Sequence, residues 1–400
     1  MRFFTSIILS ILFSVSYSFG QGTIVEDTVI LSLNLEQVDS VAVTLGFPAG
    51  LLPAEYEVDV HRVVYETPDV DGSTTTTASG LVMIPRTDSC SFPMLAYLHG
   101  TKLEKDQTFY YLRGEWQLGV VAATTGYAMV MPDYIGLGLS PGIHPYQHGR
   151  SQATASIDIM RVARSIVEES SSSLNGQLFI MGYSQGGHAT MATHKMIQEE
   201  LNGEFVVTAS APGSGPYDLS GSQLDMVASF DPYAVPGYLP YLIQSYQHVY
   251  GNLYDSIQEI YVPPYDQTLP PLLDGSVGMG VVNQAMPAVP RDIIQPDYAD
   301  AFFSDTTHPA YLALKANDVY EWIPEAPVMF NYCSSDEEVT YLNTIVASEW
   351  MLDNGASDIQ VIERSDELSH FDCATPSILN SKSWFDSMAE FVLEVPTLMN

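Results

Sequence analysis

The stretch Ile180-Met181-Gly182-Tyr183-Ser184-Gln185-Gly186-Gly187 (IMGYSQGG) sets one serine behind an apolar run, with a glycine two residues before it and another two residues after. A serine that only packs or caps a helix needs neither glycine. A serine on a sharp strand-to-helix turn needs both, because that turn strains its backbone and leaves no room for neighbouring side chains. The helix expected from about Gly186 would aim its N-terminal dipole at the hydroxyl and favour negative charge developing there. The stretch therefore predicts a nucleophile, Ser184, on a strand–turn–helix unit.

The pattern Gly-x-Ser-x-Gly is weak by itself, and this chain carries it twice. In the second copy, Gly138-Leu139-Ser140-Pro141-Gly142, the residue after the serine is proline. Acyl transfer uses the backbone N–H of that residue to hold the oxyanion, and proline has none. Ser140 reads as a turn residue. Gln185, which follows Ser184, has an N–H to give.

A nucleophile turn of this kind is followed along the chain by an acid and then a histidine. His188, His194, His248, His308 and His370 lie after Ser184. The first two ride the helix that carries the serine and read as packed or surface residues, and the next two fall in a segment of different character. His370, in the loop SDELSHFD beyond a late strand, is the expected general base. The acid is expected from VMFNYCSSDEEV, which offers Asp336, Glu337 and Glu338. Asp336 is preferred, being the first after the turn-forming Ser334-Ser335, with Glu337 or Glu338 as alternatives. A second oxyanion donor, the Thr101 N–H, is expected from LHGTKLE after the apolar run Met94 to Leu98, with His99 organising that loop.

The three cysteines permit one disulfide. Cys333 lies three residues before Asp336 and Cys373 three after His370, so a bond between acid and base would bring the two loops together and pair these cysteines. Cys90 precedes a strand and is expected a strand length away, ~17 Å, beyond the ~7 Å that a disulfide tolerates.

The alternating run EYEVDVHRVVYE, the turn TPDVDGSTTTT and the apolar run from Ser79 to Ile84 predict an antiparallel hairpin at a sheet edge. Buried-type runs follow at Met94 to Leu98, Ala128 to Met131, Leu178 to Met181 and Phe205 to Ala209, most of them separated by helix-length segments. Such alternation implies α/β architecture, a mainly parallel sheet with helices on both faces. From Ala211 to Ala326 it stops: these 116 residues hold 12 of the 24 tyrosines and 14 of the 25 prolines, which marks them as an inserted cap. The pattern resumes with Val328 to Tyr332, a helix near Thr340 to Leu352, a strand at Ile359 to Ile362 and a last helix near Ser383 to Leu393. The expected division is a signal peptide at 1–20, a core at 21–210 and 327–400, and the cap at 211–326.

The signal peptide is read from Met1-Arg2, the apolar run Phe3 to Val15 and the small residues before Gln21, and it is too short to anchor the chain stably in a membrane. A net charge of −34, from 14 Lys plus Arg against 48 Asp plus Glu, argues against nucleic acid and anionic membranes as partners. Such a surface gives solubility and also suits a salty habitat, where a Debye length of roughly 4 Å at about 0.5 M lets carboxylates cluster. No His-Glu-x-x-His metalloprotease motif and no phosphate-binding glycine loop occurs, so no metal and no cofactor are expected.

Gly182 to Gly187, Asp133-Tyr134 with Gly136 and Gly138, His144-Pro145-Tyr146, the Asp336-Glu337 loop and His370 together resemble the secreted lipases of the fungal lipase A type and their bacterial relatives. The resemblance covers the chain from about Met94 onward. It implies an α/β-hydrolase fold with a mostly helical cap and a triad of Ser184, Asp336 and His370. Two departures, a plain His-Gly oxyanion segment and few cysteines, widen the implied substrate from lipids to small-molecule or lipid esters. Two other readings share parts of the pattern: a serine peptidase of the prolyl oligopeptidase kind, and a non-catalytic binding protein on the same fold. The former usually carries a β-propeller, which the residues from Gln21 to Pro93 are too few to encode.

Overall fold

In β4 (Cys90–Leu98) every residue is buried, the signature of a strand covered on both faces. The computed structural model describes residues 22–46, 50, 54–87, 90–170 and 172–393; the expected signal peptide lies outside them. Before β4 come β1 (Ile24–Leu33), α1 (Leu35–Thr44), β2 (Glu57–Pro68) and β3 (Thr75–Arg86). After it come α2 (Gln117–Thr124), β5 (Ala128–Pro132), α3 (Gly149–Glu169), β6 (Ser173–Tyr183), α4 (Gln185–Glu200) and β7 (Val207–Gly213). The chain ends with β8 (Val328–Cys333), α12 (Leu342–Asp353), β9 (Ile359–Ser365), α13 (His370–Asp386) and β10 (Val392–Leu393).

The strands form one sheet in the order β1-β2-β3-β5-β4-β6-β7-β8-β9, with β10 beside the start of β4. Pairing is antiparallel from β1 to β5 and parallel from β5 to β9. Alternate side chains serve opposite faces. Met94, Ala96 and Leu98 pack with α3, α4 and α12, through residues such as Ile159, Met191 and Met351. Leu95 and Tyr97 pack with α1, α2 and α13, through Val38, Val120 and Phe385.

Between β7 and β8 the chain forms α5 (Leu224–Ala228), α6 (Tyr238–Tyr250), α7 (Ile257–Ile260), α8 (Tyr265–Thr268), α9 (Met279–Ala285), α10 (Pro296–Ser304) and α11 (Pro309–Lys315). These helices bury a core of their own around Tyr241, Tyr246, Tyr261, Val282 and Phe302.

Two expectations need correction. The β2–β3 hairpin is not at the sheet edge, because β1 pairs outside it. Seven of the ten β1 residues are exposed and only the last is buried, so β1 carries little of the alternation that reveals a strand. The last helix begins at His370 rather than near Ser383. Ser369 caps it by accepting from Asp372 N, and Pro376 lies inside it, where proline ordinarily breaks a helix.

The topology brings the end of β8 against the start of α13, where Cys333 and Cys373 form a disulfide 40 residues apart in sequence. Cys90 is buried and unpaired at the start of β4. Cross-linking a loop of that length stabilises by roughly 4 kcal/mol, mainly through the unfolded chain. The double variant Cys333→Ser/Cys373→Ser should therefore unfold at markedly lower urea. An unchanged urea midpoint would show that the bond does not hold this corner together.

Candidate active site

Ser184 stands where β6 turns into α4, with φ 61° and ψ −123°, a conformation that non-glycine residues avoid. The three nearby glycines make that turn possible. A Cβ on Gly182 would lie 2.3 Å from Gly186 O, one on Gly186 would lie 1.9 Å from Leu98 O, and one on Gly187 would lie 2.5 Å from Gly213 O. Each neighbour is backbone and cannot swing aside. The Ser184 N–H donates to Gly213 O at 2.9 Å, which ties the turn to β7. As the first residue of α4, Gln185 has an N–H with no intrahelical partner.

Asp336, after β8, is held by its own turn: Oδ1 accepts from Glu338 N at 3.0 Å and Val339 N at 2.8 Å. Its Oδ2 lies 2.6 Å from His370 Nδ1. A carboxylate there fixes the proton on Nδ1 and leaves Nε2 free to act as a base. Glu337 holds the same loop differently, accepting from the His370 backbone N–H at 2.9 Å. Glu338 turns away, with Oε2 accepting from Tyr238 OH at 2.8 Å and its backbone O accepting from Tyr233 OH at 2.6 Å. Of the three acids, Asp336 is the one bonded to the imidazole.

Burial alone would lower the His370 pKa, but the Asp336 hydrogen bond and the charges of Asp336, Glu338 and Glu337 outweigh it and raise the imidazole above its ordinary 6.5. Burial likewise raises the Glu338 carboxyl, helped by the charges of Asp336 and Glu337 and opposed by His370 and the Tyr238 hydroxyl. The Tyr183 hydroxyl donates to His370 O at 2.7 Å and fixes the start of α13 against β6.

Ser184 and His370 line one open groove of about 620 Å³ together with Gly100, Thr101, Lys102, Tyr238 and Glu338. Among the described residues no hydrogen bond joins Ser184 Oγ to His370. A second, narrow pocket of about 50 Å³ also reaches Ser184, runs between Leu219, Leu224, Val227, Leu239 and Leu242, and lacks His370.

The other candidates have structural partners. Ser140 Oγ accepts from Gly136 N in a turn. His99 is buried with its ring nitrogens against Gly100 O and Asp133 O. His188 sits between Gln152 and Asn317 O, and His194 against Ser210 Oγ. His308 caps α11. Among the described residues no cluster of three or more His, Cys, Asp and Glu is arranged to hold a metal ion.

The narrow pocket and the placing of Glu338 went unseen in the sequence. Tyrosine enrichment pointed to the inserted helices but not to which rings face the site. Tyr233 and Tyr238 line the pocket, whereas Tyr241, Tyr246 and Tyr261 are core. Leu45 and Gly46, just past α1, also line the groove, in a region that no motif marks.

The rice cell wall degrading esterase LipA from Xanthomonas oryzae, in a ligand-bound form, superposes with a TM-score of 0.80 at 30% identity, over 92% of this chain and 97% of that one. A Legionella pneumophila protein superposes with a TM-score of 0.83 at 26% identity, over 94% and 100%. Candida antarctica lipase A, at 15% identity and a TM-score of 0.69 over 95% and 84%, shares the α/β-hydrolase fold. No curated protein sequence matches. The family model for secretory lipases matches residues 115–387, more than half of the chain. With that match and the likeness to LipA, the chain belongs to the secretory lipase family and is a carboxylic ester hydrolase.

Proposed function

We propose that the chain hydrolyses esters through an acyl-Ser184 intermediate, with His370 as general base and acid and Asp336 orienting it. Ser184 Oγ attacks the carbonyl carbon while His370 Nε2 takes its proton. The Gln185 and Thr101 N–H groups hold the oxyanion. On collapse the C–O bond breaks and His370 returns the proton to the leaving alcohol. Water then repeats the cycle on the acyl enzyme and releases the acid. The observation that carries this reading is the 2.6 Å contact of Asp336 with His370, which lines the same groove as the strained Ser184. The hydrogen bond that this step needs between Ser184 and His370 is of the kind that forms once substrate is bound.

The two cavities divide the substrate. The alcohol must leave past His370, which protonates it, and His370 lines the open groove. The acyl chain is left with the narrow apolar pocket, whose walls come largely from residues 211–326. We read those residues as a cap that selects the acyl group over a core made of 21–210 and 327–400. Export after removal of residues 1–20 completes the reading; a secreted protein that does not begin at Gln21 would refute it.

Ser184→Ala and His370→Ala should each lower kcat by about 10⁶-fold, and Asp336→Asn by about 10⁴-fold, because the last leaves base and nucleophile in place. Ser140→Ala should leave the rate near wild type. A dead Ser140 variant beside an active Ser184 variant would exchange their roles.

The base must be neutral to work, and its raised pKa means that it stays protonated to higher pH. The acid limb of kcat/KM should therefore have its midpoint above 6.5, and Asp336→Asn should move it down, since the downward pull of burial then meets less opposition. A wild-type midpoint at or below 6.5 contradicts this.

Leu242→Ala should widen the acyl pocket and shift the preference toward longer chains on a p-nitrophenyl ester panel. Each further methylene buried is worth ~0.8 kcal/mol, about fourfold in kcat/KM. Equal change at every chain length would place the acyl group elsewhere.

A further inference from the structure

Two side-chain contacts outside the acid–base pair, one buried and one partly buried, converge on one short segment. The loop after β5 folds back on itself so tightly that a Cβ on Gly136, at φ +78°, would lie 2.3 Å from His144 N. His144 is thereby set with Nδ1 2.7 Å from Ile135 O. A carbonyl oxygen only accepts, so Nδ1 carries the proton and Nε2 offers a lone pair. The Gln185 side-chain amide donates to that lone pair at 2.7 Å. Burial lowers the His144 pKa to about 3, so the ring stays neutral and the arrangement holds at neutral pH.

Two residues on, Tyr146 OH lies 3.2 Å from Thr101 Oγ1. The Tyr146 ring stacks on Tyr241 of α6 at 4.6 Å and 12°, and Tyr241 OH donates to Lys102 O at 2.9 Å. Ser245, also on α6, donates to His144 O at 2.9 Å and accepts from Tyr146 N at 3.1 Å. The segment is thus clamped by the inserted helix on one side and reaches Gln185 and Thr101 on the other.

We propose that His144 and Tyr146 are positioning residues that set the two halves of the oxyanion hole, His144 through the Gln185 side chain and Tyr146 through the Thr101 hydroxyl. The inference rests on the reading of the Gln185 and Thr101 N–H groups as the oxyanion donors. Such donors act within about 2.7–3.1 Å of the developing charge, and a misplacement of about 1 Å costs on the order of 100-fold in rate. Thr101 lies outside regular structure, directly after Gly100, so no backbone ladder fixes its N–H. The side-chain anchor supplies what the backbone lacks.

The test compares p-nitrophenyl acetate with p-nitrophenyl thionoacetate, whose C=S accepts weaker hydrogen bonds and so gains less from the hole. In Tyr146→Phe the ring and its stacking remain and only the hydroxyl goes. His144→Leu removes the acceptor for Gln185, and His144→Gln offers one again. Tyr146→Phe and His144→Leu should each lower kcat on the oxygen ester by about 10- to 100-fold with little change in KM, and the thionoester much less, so that the preference for oxygen shrinks. His144→Gln should recover most of the loss. Tyr146→Phe/Thr101→Val should be no worse than Tyr146→Phe alone, as expected of residues acting through one contact. Variants that keep the wild-type preference, or an additive double variant, would overturn the positioning role. A wild-type enzyme with no preference for oxygen would instead overturn the oxyanion assignment itself. If His144→Leu fails to fold, the Tyr146 and Thr101 variants decide the matter.

Discussion

The contact between the Gly186 backbone and the carbonyl of Leu98 governs the rest of the molecule, for a methyl group placed between them would sit 1.9 Å from that oxygen. This approach lets α4 begin directly over the ends of β4 and β6. Between β6 and α4, Ser184 takes φ 61°. Holding a serine there costs of order 1–3 kcal/mol. The burial of β4 and β6 on both faces offsets that strain, so the corner cannot relax without opening the sheet. The order is physical: the double-sided sheet comes first, the close approach follows, and the strained serine at the groove is its product.

That order explains what could be read from the sequence. The strained turn at Ser184 was legible because its requirements are local: glycines at 182 and 186. Ser140 was set aside because Pro141 has no N–H, and it is found bonded to Gly136 N. The α/β layering was legible because parallel strands buried on both sides are uniformly apolar. The lateral place of β1 was not, since its exposed residues give no pattern that a register could use. The start of α13 was hidden by Pro376, whose missing N–H the helix tolerates.

The choice among three consecutive acids shows where one-dimensional reading stops. Composition cannot separate Asp336, Glu337 and Glu338, whereas the turn can. Asp336 binds the two backbone N–H groups of its own turn through one oxygen and the imidazole through the other. A side chain one methylene longer would carry the second oxygen past the ring. The glutamates go to other tasks, one to the His370 backbone and one to the Tyr238 hydroxyl. Three like charges so close together would repel, and the proposed base would benefit from that crowding, because each carboxylate favours the charged form of the His370 imidazole.

The division between core and inserted helices is less clean than the chain order suggests. The proposed nucleophile, acid and base stand in the segments that follow β6, β8 and β9, and the apolar pocket belongs largely to residues between β7 and β8. A simple modular view would let the insertion vary with no effect on the chemistry. The hydrogen bonds argue otherwise. Tyr233 and Tyr238 bind Glu338 two residues beyond the proposed acid, and α6 grips both Lys102 and the segment from His144 to Tyr146. Displacing α6 would therefore loosen loops on both sides of Ser184. In this molecule the surface proposed to select the acyl group also holds the groups proposed to stabilise the transition state, which would couple pocket shape to turnover.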